Sequence, residues 1–361
     1  MASEEMIPVR GDALKAFVVR VMRTQDVTLE DAQAVADVLV ASDLRGIDSH
    51  GVARLRRYVT GLKTGMMKAY PDIKILRESP VSAALDADRA LGMVVGTRAM
   101  QMAIDKAKVA GIGVISVGNS NHYGIAGYYP MMALKYDMIG LSLTNARSRI
   151  VPTFARRRWH GTNPIAVAVP AGEELPYVLD MATSVVPDGK IEVYNRLGKP
   201  IPAGWEIDEK GQPNTDSADV LARMRLDGEG GRLPLGGEGE MFGGHKGFGL
   251  GILVDIMTGV LSASAWGPYI RDGGHANLGQ FFAAMRVDLF RPVDEFKAEM
   301  DKMIRQLKAL PTAPGHDRIY IHGEKEFDAH KKRSAEGIPL HPTIVEDLKR
   351  IANEVGVTYD L

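Results

Sequence analysis

Three short segments place a histidine beside small residues at a break in the apolar pattern. They are Asp43-Leu-Arg-Gly-Ile-Asp-Ser-His-Gly51, Ser120-Asn-His-Tyr-Gly124 and Gly243-Gly-His-Lys-Gly-Phe-Gly249. A side chain at such a break can reach a ligand instead of the core, and three breaks suggest one composite site. In the first segment Ser49 reads as a helix N-cap, with His50 at the first helical position and Arg54 four residues on, along the same face. A histidine, a guanidinium and the free N–H groups of a helix start suit a small carboxylate beside a group that gains or loses a proton. The alternative is that His50 caps the helix and Arg54 makes a surface ion pair.

The second segment follows a strand and precedes a helix, a common ligand position in α/β folds. His122 there is a candidate general acid or base, because imidazole titrates near neutral pH. A plain polar turn, with asparagines satisfying backbone, is the competing reading. Gly161-Thr162-Asn163-Pro164 and Asp180-Met181-Ala182-Thr183-Ser184 border two strands, where hydroxyls and amides can bond ribose and phosphate or serve as ordinary loops. In the third segment the glycines permit close backbone approach, and Lys246 beside His245 puts a positive charge at a helix start, a combination that fits a phosphate. Arg147, Arg149, Arg156, Arg157 and Arg158 form a basic run: either a solvated face or subunit contact, or a partner for an acidic ligand. The remaining histidines, at 160, 275, 316, 322, 330 and 341, read as surface or structural.

The elements that must hold these groups follow from periodicity. Residues 11–65 predict three helices, the second opened by a capping box at Thr28–Asp31 and closed by Gly46, the third carrying Val52, Leu55, Tyr58, Val59 and Leu62. From residue 73 short β-branched runs appear at 73–76, 81–85, 113–117, 139–144, 165–169 and 178–181, with helices over 93–110 and 125–136 between them. Residues 196–240, rich in Gly, Pro and Asp, read as an extended surface excursion. Beyond it lie a glycine-containing helix over 248–261, a strand over 277–287, an amphipathic helix over 294–310 and a last helix in 341–357. The mixture predicts an α/β sheet domain over 73–310 and a smaller, mainly helical domain over 1–72, joined by the C-terminal segment 311–361.

Composition narrows the function classes. The 361 residues carry a formal net charge of -1, which gives no electrostatic reason to expect nucleic acid or an anionic membrane. With no cysteine, disulfides, thiolate catalysis and zinc-thiolate sites are excluded, and a reducing cytoplasm is the expected setting. The longest apolar stretch, 248–260, is short of a bilayer span. Neither G-x-G-x-x-G after a strand nor a phosphate loop of the G-x-x-x-x-G-K-[ST] type is found, nor H-E-x-x-H or G-x-S-x-G, and no metal site is expected.

At these motifs the chain resembles the malate/L-lactate/L-sulfolactate dehydrogenase family of type 2, over roughly residues 10–330. The resemblance rests on the order and spacing of Asp43–Gly51, Ser120–Gly124, Gly161–Pro164, Asp180–Ser184 with Gly189-Lys190, Ile201-Pro-Ala-Gly-Trp205, Gly243–Leu250 and Gly323-Glu324. It implies a non-Rossmann NAD(P)-binding mixed sheet, a homodimer with its active site near the subunit interface, and hydride transfer between NAD(P)H and a small 2-oxo acid. His50 or His122 would be the proton donor. Ser49, Arg54, Thr162 and Asn163 would bind substrate. Ser142, Asp180, Met181, Ala182, His245, Lys246, Gly323 and Glu324 would bind NAD or NADP. The chain departs from the family pattern at 152–158 and 185–188. Family members also include reductases of cyclic imines and diketo sugar acids, and a non-catalytic ligand-binding protein is the third reading.

Overall fold

The computed structural model describes residues 6–224, 228–270 and 275–361. The chain enters through β1 (Ile7–Val9), α1 (Gly11–Arg23), α2 (Leu29–Leu44) and α3 (Leu55–Lys63). Thr28 opens α2 as expected, accepting from Asp31 N–H at 3.2 Å. The Asp31 carboxylate does not close the reciprocal half of the box; it pairs with Arg98 at 2.5 Å. Asp is one methylene shorter than the Glu that normally reaches back to the cap.

Seven strands then build one mixed sheet. They are β2 (Lys74–Glu78), β3 (Ser82–Asp86), β4 (Ile112–Ser120), β5 (Met138–Thr144), β6 (Ile165–Val169), β7 (Tyr177–Met181) and, far later in sequence, β10 (Leu278–Arg286), in the order β2-β3-β4-β10-β5-β6-β7. Only β3 and β4 run parallel; every other neighbouring pair is antiparallel. This is not a doubly wound dinucleotide sheet, in agreement with the missing glycine fingerprint. α4 (Gly92–Ala110) and α5 (Tyr128–Ala133) cover one face. The helix expected from Ile125 starts at Tyr128, because residues 121–127 form the loop that carries His122.

The excursion at 196–240 is more ordered than its composition predicts. α6 (Asp188–Arg196), a short ribbon of β8 (Glu206–Ile207) and β9 (Gly231–Arg232), and α7 (Ser217–Arg223) enclose a small core of Val186, Ile191, Ile201 and Val220. The basic run helps to hold it: Arg158 donates to the carbonyls of Gly230 (2.8 Å) and Arg223 (3.1 Å), and Arg149 donates to that of Met224. α8 (Gly244–Asp255) continues through a π turn at Ile256–Val260. After β10 come α9 (Val293–Lys308), α10 (Glu324–Glu336), β11 (Ile338–Leu340) and α11 (Pro342–Val355). α10 went unpredicted, since its sequence EKEFDAHKKRSAE carries almost no apolar stripe. β11 returns to pair with β1, so the C-terminal segment closes on the N-terminal helices. The main buried cluster is continuous, running from Phe17 and Val38 through Met93 and Tyr129 to Phe282.

β4 is pinned from above by α4. A Cβ on Gly113 would lie 2.0 Å from the carbonyl oxygen of Ala103, so only glycine lets helix and strand meet this closely. Gly113→Ala is expected to cost about 1–3 kcal/mol, the usual range for overpacking. Urea denaturation checks this, and an unchanged midpoint would contradict the close approach.

Candidate active site

His50 is held by a turn, not by a helix start. Residues 48–50 and 52–54 form two single turns of 3₁₀ helix, and α3 begins only at Leu55, with Arg54 as its N-cap residue. Ser49 therefore does not cap α3, His50 is not at a first helical position, and the anion site expected from that placement is absent. The cause is Asp43 at the end of α2. Its buried carboxyl accepts from Val52 N–H at 2.8 Å and packs so tightly on Gly51 that a Cβ there would lie 1.8 Å from Oδ1. That contact breaks the helix before it can start. Ser49 hydroxyl lies 2.8 Å from His50 Nδ1, and Arg54 Nε donates to Ser49 O at 2.7 Å, while the terminal nitrogens of Arg54 have no hydrogen-bond partner among the described residues. Arg333 on α10 clamps the same turn, donating to Asp43 O at 2.5 Å and pairing with Asp48.

His122 reaches the same place from the sheet. Asn121, ahead of it, is buried and donates to the carbonyls of Arg89 and Ala90, both at 3.0 Å, while Gln280 Nε2 donates to Asn121 O at 2.9 Å. Tyr123, after it, points inward, stacks on Tyr129 at 4.7 Å and meets the Ser142 hydroxyl at 3.0 Å. With its neighbours fixed inward, His122 faces out, toward α3. Its ring stacks on His50, with centroids 5.6 Å apart and planes 22° apart. Tyr58 hydroxyl meets its Nδ1 at 2.7 Å, and Gly124 N–H donates to the same nitrogen at 3.3 Å. Nδ1 accepting from a backbone N–H puts the proton of the neutral ring on Nε2.

The electrostatics of this pair have one direction. Burial pushes His50 down to about 4, the Arg54 charge adds to that, Asp188 opposes it and Arg57 reinforces it. His122 is held well below its ordinary value by burial and by Arg57, His50 and Arg54. Burial raises Tyr58 to about 12, so its hydroxyl keeps its proton. Two neutral imidazoles thus sit in a cationic field, an environment that disfavours their protonation and attracts a carboxylate.

The other expected site residues fall into two groups. Thr162 O accepts from Thr183 N–H at 2.8 Å, tying the turn at 161–164 to the end of β7. Asn163 is fully buried, accepting from Ala146 N–H at 3.1 Å and donating to Gly251 O at 2.8 Å, so its amide ties its turn to α8. Ser142 is likewise fully buried against Tyr123. His245 and Lys246 lie exposed on the first turn of α8, behind Gly243 with φ +88°. The expected convergence therefore holds for His50 and His122, which touch, whereas His245 makes no ring contact with either among the described residues. Asp180 and Gly323 line one cavity of about 260 Å³, next to Met181, Ala182 and Glu324 in the chain. Asp180 accepts from Gly127 N–H at 2.7 Å, and the buried Glu324 carboxylate accepts from Ile321 N–H at 2.9 Å and pairs with Lys308 at 2.5 Å. Of the isolated histidines, His160 is buried against Phe248, His341 caps α11, and His322 lines the cavity.

Sequence reasoning missed Tyr58, Arg57 and Asp43 as site residues. Tyr58 read as core because it shares the apolar stripe of α3; its spacing from Arg54, one turn on, was the available signal. Gly51→Ala tests the turn. It is expected to lower stability by about 1–3 kcal/mol through the clash with Asp43 and to separate the two imidazoles. Denaturant melts and a nuclear Overhauser contact between the rings check both, and an intact ring contact would show that Gly51 does not set the turn.

Comparison with known proteins agrees with this geometry. Residues 9–349 match the malate/L-lactate dehydrogenase family. The malate dehydrogenase of Pyrococcus abyssi is 47% identical over 356 residues, covering 98% of this chain and 96% of that one. The L-sulfolactate dehydrogenase of Methanocaldococcus jannaschii is 38% identical over 352 residues, covering 96% of each. Among solved structures, malate dehydrogenase from Pyrococcus horikoshii OT3 superposes with a TM-score of 0.90 at 44% identity, covering 99% of this chain and 98% of that one. The chain belongs to the malate/L-lactate dehydrogenase family: it is an oxidoreductase of the 2-hydroxy acid class, which implies a nicotinamide cofactor.

Proposed function

We propose that the protein interconverts a small 2-hydroxy acid of the malate, lactate or sulfolactate type and its 2-oxo acid, with NAD or NADP as cofactor. The observation that carries this reading is the stacked His50–His122 pair under the charges of Arg54 and Arg57. Arg54, its Nε held by Ser49 O, offers its free nitrogens as a fork to the substrate carboxylate. One imidazole takes the hydroxyl proton in oxidation and returns it to the carbonyl oxygen in reduction. Tyr58 and Gly124 N–H occupy His122 Nδ1, so its Nε2–H can donate a hydrogen bond to the substrate oxygen, and the nitrogen free to take the proton is Nε2 of His50 when its Nδ1–H donates to the Ser49 hydroxyl. When bound, the nicotinamide supplies or receives the hydride.

The cofactor reading fits the residues present: a cavity holding Asp180 and Gly323, and a glycine-led helix start carrying His245 and Lys246. Met181, Ala182 and Glu324 would frame that cavity, Thr162 would face the substrate from the end of the 161–164 turn, and Asn163 and Ser142 would act by holding the fold beneath it. Reduction of a cyclic imine or a diketo sugar acid is the less supported reading, since the relatives above are named for malate and sulfolactate. We place the reaction in the cytoplasm, with which a cysteine-free chain is compatible; no helix among the described residues is long and apolar enough to cross a membrane. The proposed domain division, 1–72 with 311–361 and 73–310, is supported by the pairing of β1 with β11.

His50→Ala and His122→Ala, assayed against pyruvate, oxaloacetate and sulfopyruvate with both nicotinamides, test the chemistry. The variant lacking the proton donor is expected to lose about 10²–10⁴ in rate; near-normal turnover in both would end the proposal. In oxidation the base must be neutral, so activity falls only as pH drops through its folded pKa. With His50 pushed down to about 4 and His122 lower than usual, kcat/KM for the 2-hydroxy acid should hold well below pH 6.5. An acid limb at about pH 6.5 would show that the base titrates as an ordinary imidazole and that burial does not lower it.

A homodimer belongs to the same proposal. Leu253, Ile256, Val260 and Leu261 are exposed by 49%, 48%, 59% and 58% and share one side of α8 and its π turn. That helix carries Lys246 on its first turn, so a subunit contact along it adjoins the expected cofactor position. Ile256→Glu with Val260→Glu should give a monomer by light scattering; an unchanged dimer would move the interface elsewhere.

A further inference from the structure

The start of α3 carries arginines at 54, 56 and 57, and the fold uses them differently. Arg56 is spent on α11: its Nε donates to Asp347 at 2.6 Å and its Nη1 to Glu354 at 3.1 Å. Arg54 gives only its Nε, to Ser49 O. Arg57 is exposed and has no hydrogen-bond or ion-pair partner among the described residues. Residues three apart on a helix are neighbours, with Cβ atoms about 5–6 Å from each other, so Arg54 and Arg57 leave α3 side by side. The Arg57 charge is felt by Tyr58, His50 and His122, and at His122 more strongly than that of Arg54. Both guanidiniums therefore stand around the histidine pair. Their charges are not balanced from within. The imidazoles are held neutral and Tyr58 keeps its proton. Asp188 is the carboxylate whose charge reaches His50, and it is already paired with the buried Arg232.

We propose that Arg57 is a specificity-determining residue that binds a second anionic group at the far end of the substrate, so that the site takes dianionic 2-oxo acids in preference to monoanionic ones. The assignment rests on the 2-oxo acid reading above, which leaves the C1 carboxylate to Arg54. The C1 carboxylate matches one guanidinium; the methyl group of pyruvate leaves the other facing nothing of opposite charge. A distal carboxylate, as in oxaloacetate, or a distal sulfonate, as in sulfopyruvate, matches it. A guanidinium fork accepts either group through paired N–H donors. An exposed ion pair is worth little in water, but a bound substrate covers both partners and the attraction grows as water leaves.

The test is a ratio of activities in the full chain. Reduction of oxaloacetate, sulfopyruvate, pyruvate and 4-methyl-2-oxopentanoate is followed by consumption of NADH and of NADPH. The last of these carries an isopropyl group where oxaloacetate has its distal carboxylate, so it controls for size. In the unmodified protein, kcat/KM for one dianion should exceed that for both monoanions at least about tenfold, the worth of a hydrogen bond to a charged group. The better dianion tells carboxylate from sulfonate. Arg57→Gln should erase the preference, mainly through KM, and leave turnover of pyruvate nearly as it was. Arg57→Lys should keep part of it, because the charge stays and the fork is lost. Arg56→Gln removes a neighbouring charge that points to α11 and should leave the ratio unchanged. Partial unfolding of a variant lowers all four activities together and does not move the ratio. If the unmodified protein prefers a monoanion, if the preference survives Arg57→Gln, or if Arg56→Gln erases it equally, the proposal is overturned while the 2-oxo acid reading stands. If no 2-oxo acid is reduced with either nicotinamide, that reading falls and takes this assignment with it.

Discussion

One buried carboxyl sets the geometry on which the site depends. Asp43 sits at the end of α2 and takes the N–H of Val52, nine residues on, into a contact that only glycine at 51 permits. The chain between them cannot continue as helix, so it makes two tight turns that present His50 sideways. Burial raises Asp43 to about 8, with the Asp48 charge pushing the same way and Val52 N–H and Arg333 opposing. Near neutral pH it is therefore largely a neutral acid, able to sit in the interior without a counter-ion of its own. Arg333 on α10 serves the neighbouring groups, the Asp43 carbonyl and Asp48. The site turn is thus gripped by elements nearly three hundred residues apart.

The second half of the site comes from the sheet. β4 is interior on both sides, with β3 parallel to it and β10 antiparallel. Its C-terminal loop is fastened by Asn121 beneath and by the inward Tyr123 beyond, which leaves His122 one direction to face. A rigid central strand and a turn braced by a buried acid bring two imidazoles into stacking contact. Burial lowers the tendency of both to take a proton, Arg54 and Arg57 add to that effect on each, and His50 adds to it on His122. Fold and chemistry meet in this field: it holds two bases neutral and draws in an anion.

Several features were legible beforehand because they are local. All seven sheet strands were expected, six as β-branched runs and β10 as the strand over 277–287, and the β6 expectation matched Ile165–Val169 in full. The glycine start of α8 and the Thr28 cap were read correctly from side-chain type alone. What failed depended on distant partners. The helix expected from Ser49 was cancelled by Asp43, and the ordered excursion at 196–240 is secured partly by Arg158 reaching into it. α10 was invisible because its charged surface gives no periodic stripe, yet it supplies the clamp on the histidine turn and one wall of the cavity.

The sequence by itself determined which groups were available: two histidines, arginines and a lysine at chain breaks, with no cysteine and no Rossmann glycines. Their order along the chain was enough to expect the reaction class. Only the tertiary structure decided which of them meet, which stay neutral and which are left without a partner. Those outcomes depend on distances and on the exclusion of water. A side chain's chemistry is carried by its own atoms, but its proton affinity and its neighbours are set by what the rest of the fold packs around it.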